Sequence, residues 1–299
     1  MTLTAGRNDC VSIEVAVSGL DQLGETPLWC DREQLLWWVD IEKPKLQSFS
    51  PSTGQIQAWA RDCTFLGSQA LTQSGRTLVA QDLSLLTLDS PGAPGEQLIE
   101  VETGLDNRLN DGRVDAKGRL WIGTMDAQLH RPTGSLYRID PDGASMKIVD
   151  DVVVSNGITF SPDNKRLYFT DTRRHLTYVF TLDPEDGVVT NRQVFADHRD
   201  TGDRPDGACI DADGCVWTAF FAGGRVVRYT PKGDIDRVIE LPVTNPTCIC
   251  FGGADLRTLY ITTARKFLDD RQLADEPLAG SLLAIHGVGQ GLPENRFGL

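Results

Sequence analysis

The sequence repeats one unit six times, and this repetition limits the possible folds more than any other feature. Aligned on the apolar residue near the start of each second strand, successive copies are 42, 42, 47, 49 and 43 residues apart by subtraction. The aligned residues are Leu36, Leu78, Leu120, Leu167, Val216 and Leu259. Their segments are alike, reading LLWWVD, TLVAQD, RLWIGT, RLYFTD, CVWTAF and TLYITT. Repeats of about 40 to 50 residues, with about four strands each, are typical of β-propeller blades.

The predicted fold is therefore all-β: a six-bladed β-propeller with four antiparallel strands per blade, forming a single domain over residues 1–299. The sixth copy supplies only three strands, in residues 247–251, 258–263 and 281–285, and the chain then ends in GVGQGLPENRFGL. Residues 11–17, VSIEVAV, alternate apolar and polar residues as a half-buried strand does. We expect this N-terminal strand to complete the last blade and leave no free sheet edge.

Charge and composition exclude several kinds of partner. The formal net charge of −13 opposes binding to nucleic acid phosphates and to anionic membranes, so we expect neither partner. The opening residues MTLTAGRNDC lack the basic and then apolar pattern of a signal peptide, which favours a cytoplasmic protein. Seven cysteines without a CxxC pair indicate reduced, structural thiols. A monomer or weak homo-oligomer is expected.

Polar residues begin the innermost strand of every repeat, where a propeller brings the strands together at its axis. Counting back about ten to twelve residues from the aligned positions reaches these six residues. They are Glu25, Ser68, Asn110, Asn156, Asp206 and Thr247. Two carboxylates and two amides form a hard, oxygen-rich set that suits calcium, magnesium or manganese, and also zinc or ferrous iron. Arg108 lies two residues before Asn110, on the same side of a strand, and offers a cation to an oxygen-rich ligand.

Ordinary structural roles compete with each of these interpretations. Polar residues at strand starts often cap turns or hold water along a propeller axis. The turns at Asp115, Ser161 and Asp211 resemble calcium loops but lack the remaining EF-hand ligands, so turn chemistry explains them better. Trp38, Trp121 and their counterparts are expected in the core. His130 and His198 lie in loops that could border a pocket, and no serine elbow, HExxH motif or phosphate loop is present.

Four segments resemble the SMP-30/gluconolactonase/LRE family of six-bladed propeller lactonases, which includes the regucalcins. They are GETPLW from Gly24, RLNDGRVDAKGRLWIGTM from Arg108, SNGITFSPDNKRLYFTD from Ser155 and RPDGACIDADGCVW from Arg204. The resemblance implies one divalent cation held by Glu25, Asn156 and Asp206. It also implies that Arg108 and Asn110 bind sugar hydroxyls and that Asp206 accepts a proton. Where some relatives carry a Glu in the loop after the TM segment, this chain has His130 at or near that place, so substrate preference does not transfer through this loop.

The expected activity is metal-dependent hydrolysis of a sugar lactone, such as glucono-, xylono-, arabinono- or galactonolactone, to its sugar acid. In this hypothesis the cation polarises the lactone carbonyl and Asp206 takes a proton from the attacking water. Two alternatives remain open: a propeller arylesterase or phosphotriesterase, and a calcium-binding propeller without enzymatic activity.

Overall fold

The computed structural model describes residues 11–299 and the backbone of residues 7–8. The expectation about a leader sequence falls largely on residues outside this part of the chain, and so does Cys10. No helix in the described part is long and apolar enough to cross a membrane. Two strands open the chain, namely β1 (Arg7–Asn8) and β2 (Ile13–Val17).

Six four-stranded antiparallel units follow one another, which confirms the predicted propeller. Blade 1 contains β3 (Gly24–Cys30), β4 (Leu35–Asp40), β5 (Lys45–Phe49) and β6 (Ile56–Ala60). Blade 2 contains β7 (Leu66–Leu71), β8 (Thr77–Gln81), β9 (Ser84–Leu88) and β10 (Glu96–Glu100). Blade 3 contains β11 (Asn107–Val114), β12 (Leu120–Asp126), β13 (Gly134–Ile139) and β14 (Ser145–Val152).

The second half of the chain repeats the arrangement. Blade 4 contains β15 (Ser155–Phe160), β16 (Arg166–Asp171), β17 (Leu176–Leu182) and β18 (Val189–Asp197), with a 3₁₀ turn at Thr172–Arg174. Blade 5 contains β19 (Arg204–Ile210), β20 (Val216–Phe221), β21 (Arg225–Tyr229) and β22 (Ile235–Glu240), and β1 pairs in parallel with β22. Blade 6 contains β23 (Pro246–Gly252), β24 (Thr258–Thr263) and β25 (Leu282–His286), with helix α1 (Asp270–Asp275) before β25.

The N-terminal strand β2 closes the ring, as expected from the sequence. It pairs antiparallel with β25, placing Ile13 opposite Ile285 and Val15 opposite Leu283. The strand begins two residues later than the predicted residues 11–17. Because both ends of the chain share blade 6, this blade has its full complement of four strands.

Apolar side chains between neighbouring blades form the core. The second strands are almost fully buried, and Trp38, Trp121 and Trp217 are at most 2% exposed, which confirms their core role. In the turns, the Asp115 and Asp211 carboxylates accept backbone N–H groups of the same turn and the indole N–H of Trp121 and Trp217, respectively. These contacts show turn chemistry, as the sequence indicates.

The C-terminal segment, residues 287–299, has a structural role that the sequence did not reveal. It crosses one face of the propeller. Gly291 forms an isolated β-bridge with Asp211, and Phe297 forms another with Thr72. The Phe297 ring is fully buried in the cluster between blades 2 and 3. The Glu294 carboxylate forms an ion pair with Arg113. The last residues therefore tie several blades together.

Candidate active site

One cavity of about 90 Å³ brings together the predicted site residues other than His130. Glu25, Asn110, Asn156 and Asp206 line it from four different blades, and Arg108 lines it beside them. All five side chains are at most 6% exposed. Leu23, Met125, Val154 and Phe221 give the cavity apolar walls. The structure thus brings together residues that are as far apart as 25 and 206 in the sequence.

The inner strands share an irregularity that aims these side chains at the axis. In every blade the pairing of the inner strand with its neighbour shifts register at the polar residue or directly beside it. The shifts fall between Glu25 and Leu28, Leu66 and Ser68, Leu109 and Gly112, Asn156 and Thr159, Pro205 and Ala208, and Pro246 and Ile249. A β-bulge bends its strand and redirects a side chain, and bulges are frequent beside active sites. Repetition of the bulge explains why six polar positions converge.

The backbone beside Glu25 is strained. Thr26 has a φ of 41°, which is unusual for a β-branched residue. Its N–H donates to Oε2 of Glu25 at 2.9 Å, while its own buried hydroxyl has no hydrogen-bond partner among the described residues. Strain of this kind persists where the surrounding structure holds it, and it is common at functional sites. The turn therefore holds one oxygen of Glu25 in a fixed position.

Asn110 and Asn156 form the centre of a hydrogen-bond network. Asn110 Nδ2 donates to Oδ1 of Asn156 at 2.7 Å and to the Ser155 carbonyl at 2.7 Å. Arg108 Nη1 donates to Oδ1 of Asn110 at 2.6 Å. Asn156 Nδ2 donates to the hydroxyl of Thr172 at 2.9 Å, which fixes the orientation of the amide. Both amides are therefore held by neighbours rather than by solvent.

Acidic side chains buried close together shift the pKa values of the groups that line the cavity. Burial, with the Asp111 carboxylate next in importance, raises the pKa of Glu25 to about 8. Burial and the Glu25 and Asp111 carboxylates raise the pKa of Asp206 well above its usual range. Burial lowers the pKa of Arg108 to about 10, against the opposing effect of nearby carboxylates. Three buried carboxylates near one buried guanidinium make this end of the axis attractive to a further positive charge.

The donor set fits a divalent cation only if an amide oxygen takes part. Within the described residues, no group of three or more His, Cys, Asp or Glu side chains is arranged to hold a metal. Glu25 and Asp206 supply two carboxylates, and the second lone pair of Asn156 Oδ1 supplies a neutral oxygen. An oxygen-only set of this kind suits a hard cation. The residues present are therefore chemically suited to the metal that the sequence predicts.

Two of the six ring residues lie outside the cavity lining. The buried Thr247 hydroxyl links blades 6 and 1 by donating a hydrogen bond to the Gly24 carbonyl. It is also hydrogen-bonded to the Thr262 hydroxyl within blade 6. Ser68 is buried in blade 2 and does not line the cavity. Gly207, the residue after Asp206, allows blades 5 and 6 to pack closely, because a Cβ at this position would lie 2.3 Å from the sulfur of Cys248 in blade 6.

The two loop histidines do not line the cavity. The His130 side chain is exposed, and the neighbouring Leu129 lines the cavity instead. His198 packs edge-on against Phe220, with ring centroids 5.1 Å apart. A role for His130 in substrate binding stays a prediction.

The residues at the cavity mouth could not be recognised from the repeat pattern. Arg173, Arg204, Lys266 and Phe267 line it, and Phe267 is 66% exposed. Arg173 lies in the 3₁₀ turn after β16, Arg204 begins β19, and Lys266 and Phe267 follow β24. They occupy different places in their repeats, so the six-fold alignment carries no signal for them. The only available signal is that basic residues lie close to the ring positions, as Arg204 does to Asp206.

Comparisons with known proteins agree with this fold. A family model described as the SMP-30/Gluconolactonase/LRE-like region matches residues 23–265. A 6-deoxy-6-sulfogluconolactonase from Pseudomonas putida is 43% identical over 277 residues, covering 92% of this chain and 94% of the relative. Regucalcin from Gallus gallus is 35% identical, covering 96% and 98%.

A solved structure is similar over its whole length. Regucalcin from Agrobacterium tumefaciens, described as a calcium-binding protein, superposes with a TM-score of 0.93 at 30% identity, covering 97% of this chain and 98% of that one. A family match over most of the chain, together with relatives of this identity and coverage, establishes the assignment. The chain belongs to the SMP-30/gluconolactonase/LRE-like family.

Proposed function

We propose that this chain hydrolyses an aldonolactone to its sugar acid, using one divalent cation held by Glu25, Asn156 and Asp206. The observation that carries the proposal is the cavity itself, in which two buried carboxylates and a fixed amide oxygen converge between apolar walls. The relative named as a sulfogluconolactonase supports the reaction class. The relative described as calcium-binding supports a divalent metal.

A bound cation would supply Lewis-acid polarisation of the lactone carbonyl and charge stabilisation for the oxyanion. Asp206 would accept a proton from the attacking water. Arg108, held by Asn110, would orient ring hydroxyls. The apolar walls would limit the access of other water and strengthen the electrostatic interactions inside the cavity.

The proposed substrates are lactones of the gluconolactone type, with glucono-, xylono-, arabinono- and galactonolactone as candidates. The cavity offers hydrogen-bonding groups at its floor and apolar walls above them. This arrangement is usual for small polar ligands. The name of the 43% identical relative adds a gluconolactone that carries a sulfonate.

A proton-release assay over this lactone panel tests the proposal. The protein is stripped of metal and then supplied singly with Ca²⁺, Zn²⁺, Mn²⁺, Mg²⁺ or Fe²⁺. Spontaneous hydrolysis is subtracted, and five-membered lactones are the most informative because six-membered ones open quickly unaided. We expect turnover that disappears with the metal and returns with at least one ion.

Other outcomes would identify other functions. Turnover of aryl esters or phosphotriesters without lactone hydrolysis would favour an arylesterase or phosphotriesterase. Tight calcium binding with no turnover of any ester or lactone would favour a non-enzymatic calcium-binding protein. Full lactone turnover by metal-free protein would contradict the metal dependence.

A further inference from the structure

Two arginines at the mouth of the cavity have no partner for their charge among the described residues. Arg173 and Arg204 both line the cavity, and neither guanidinium forms an ion pair or hydrogen bond within residues 11–299. Arginines elsewhere in the protein are commonly paired, as Arg113 is with Glu294 and Arg225 is with Asp203. In a chain with a net charge of −13, two unpaired guanidiniums beside one cavity require an explanation.

The local structure around Arg173 keeps the neighbouring carboxylates away from it. Arg173 lies in the 3₁₀ turn that follows β16, and Asp171 caps this turn by accepting from the Arg174 N–H. The side chain of Arg174 forms ion pairs with Asp151 at 2.7 Å and with Asp171 at 3.2 Å. The adjacent Thr172 is anchored by donating to the Pro205 carbonyl. Of two consecutive arginines, one is neutralised and the other lines the cavity.

Within the described residues, Arg204 also lacks a partner because the neighbouring carboxylate is bound elsewhere. It begins β19, two residues before Asp206, and it is half-buried. The carboxylate beside it in the chain, Asp203, pairs with Arg225 at 2.7 Å and accepts from Thr201 at 2.8 Å. Asp203 is therefore already occupied, and the Arg204 guanidinium keeps its five donors for another acceptor.

The third basic residue at the mouth, Lys266, does have a partner for its charge. Lys266 forms an ion pair with Glu42, and its ammonium lies 4.9 Å from the centre of the Phe267 ring. Among the described residues that line the cavity, Arg173 and Arg204 are thus the basic side chains with neither an ion pair nor a hydrogen bond, while Glu25 and Asp206 are the buried acidic ones. The two arginines are more exposed than the buried Glu25 and Asp206, so they lie nearer to the opening of the shared cavity.

We infer that Arg173 and Arg204 together bind an anionic substituent of the substrate, a sulfonate or phosphate group attached to the lactone at the end away from its carbonyl. The inference rests on the proposed function for the position of the carbonyl. Guanidinium groups match tetrahedral oxyanions with paired N–H donors, which makes arginine the preferred residue for such groups. A neutral lactone would leave both guanidiniums without an acceptor, so the charged lactone should be selected.

Steady-state kinetics with three lactones test this inference. They are gluconolactone and its derivatives that carry a sulfonate or a phosphate on carbon 6. We expect the wild type to prefer at least one charged lactone, and Arg173→Gln or Arg204→Gln to lower kcat/KM for that lactone about tenfold while changing kcat/KM for gluconolactone less than about twofold. The preference should also decline with added salt. The sulfonate and phosphate arms show which group is the natural one.

Arg271→Gln is the matched control, because Arg271 is an exposed arginine on helix α1 and does not line the cavity. It should leave all three kcat/KM values unchanged. Thermal melting of each variant checks folding. A wild type without preference for either charged lactone would overturn the inference. So would variants that slow neutral and charged lactones equally, since that result indicates a purely structural role.

A binding measurement separates this inference from the proposed reaction. Calorimetry compares gluconate with 6-phosphogluconate and 6-deoxy-6-sulfogluconate, which differ only in the group on carbon 6. Tighter binding of a charged acid by the wild type, lost in both arginine variants, supports the site even if no lactone is hydrolysed. Equal affinity for all three acids, or a preference that survives both substitutions, contradicts it.

Discussion

The side-chain amide of Asn110 donates a hydrogen bond of 2.7 Å to Oδ1 of Asn156, a residue 46 positions away on the next blade. The same amide group also donates to the Ser155 carbonyl, so it holds two successive residues of blade 4. Asn110 therefore sets the direction of the oxygen that we propose as a metal ligand. Groups that orient a metal ligand often change metal affinity strongly without touching the ion.

Asn110→Ala should weaken metal binding about 10- to 100-fold, because Asn156 loses the donor that orients its Oδ1. Calorimetric titration of the metal-free protein measures this change without relying on activity. Ser68→Ala is the control, since Ser68 occupies the equivalent position in blade 2 but does not line the cavity. Equal metal affinity in Asn110→Ala and the wild type would show that Asn156 needs no such support.

Asp206→Asn should lower lactone turnover by about 10²-fold or more at saturating metal, because the amide cannot accept the proton of the attacking water. Measuring kcat across a metal titration separates loss of the base from loss of the ion. Near wild-type kcat at high metal concentration would show that another group removes the proton.

Phe297→Ala should destabilise the protein by about 3 to 5 kcal/mol, because it removes a fully buried ring from the cluster between blades 2 and 3. Urea unfolding measures the change in the free energy of unfolding. Leu292→Ala, on the same segment but 36% exposed, should cost less than about 1 kcal/mol. Similar effects of the two substitutions would mean that the segment does not act through the burial of Phe297.

Deletion of residues 1–18 should prevent stable folding, because it removes β2 and exposes the edge of β25 in blade 6. Solubility and thermal melting are the measurements. Deletion of residues 1–6 leaves β1 and β2 in place and serves as the control. A soluble 1–18 deletion with unchanged melting would mean that the ring is held closed without this strand.

Asp126→Asn should destabilise the protein at pH 7 but have little effect in strong acid. The fully buried carboxylate accepts from the N–H groups of His130 and Arg131 and from the Arg131 guanidinium. The Arg131 guanidinium, with these N–H groups, holds the pKa of Asp126 well below its usual range. The carboxylate of the unfolded chain protonates first, near pH 3.9, so the stabilisation is complete above this pH and is lost as the pH falls towards the lower folded value.

Unfolding of wild type and Asp126→Asn at several pH values tests this prediction. The difference in unfolding free energy should be roughly 2 kcal/mol at neutral pH and should shrink below about pH 4. Asp106→Asn is the control, since Asp106 is 60% exposed and lies 3.4 Å from the same arginine. A difference that is constant from pH 7 down to pH 2 would contradict the assigned role of the Asp126 carboxylate.

The sequence by itself determined the number of blades, the closure of the ring by β2 and the polar residues at the axis. These features depend on local patterns, namely the alternation along a strand and the spacing of one repeat from the next. Glu25, Asn156 and Asp206 could be named in advance as axis residues because each occupies the same place in its own repeat, and the family resemblance singled them out as the expected metal ligands.

Only the tertiary structure decided the contacts between repeats. The hydrogen bond from Asn110 to Asn156 and the burial of Phe297 join segments whose distance in sequence carries no periodic signal. The lack of a partner for Arg173 and Arg204 within the described residues likewise depends on which neighbours the fold brings to them. The bulge beside each ring residue also depends on the register with a partner strand, which one strand's sequence does not specify. The repeated sequence pattern therefore determines the six-bladed propeller. The packing of loops that differ between blades determines the mouth of the cavity and the charged groups that a substrate can reach.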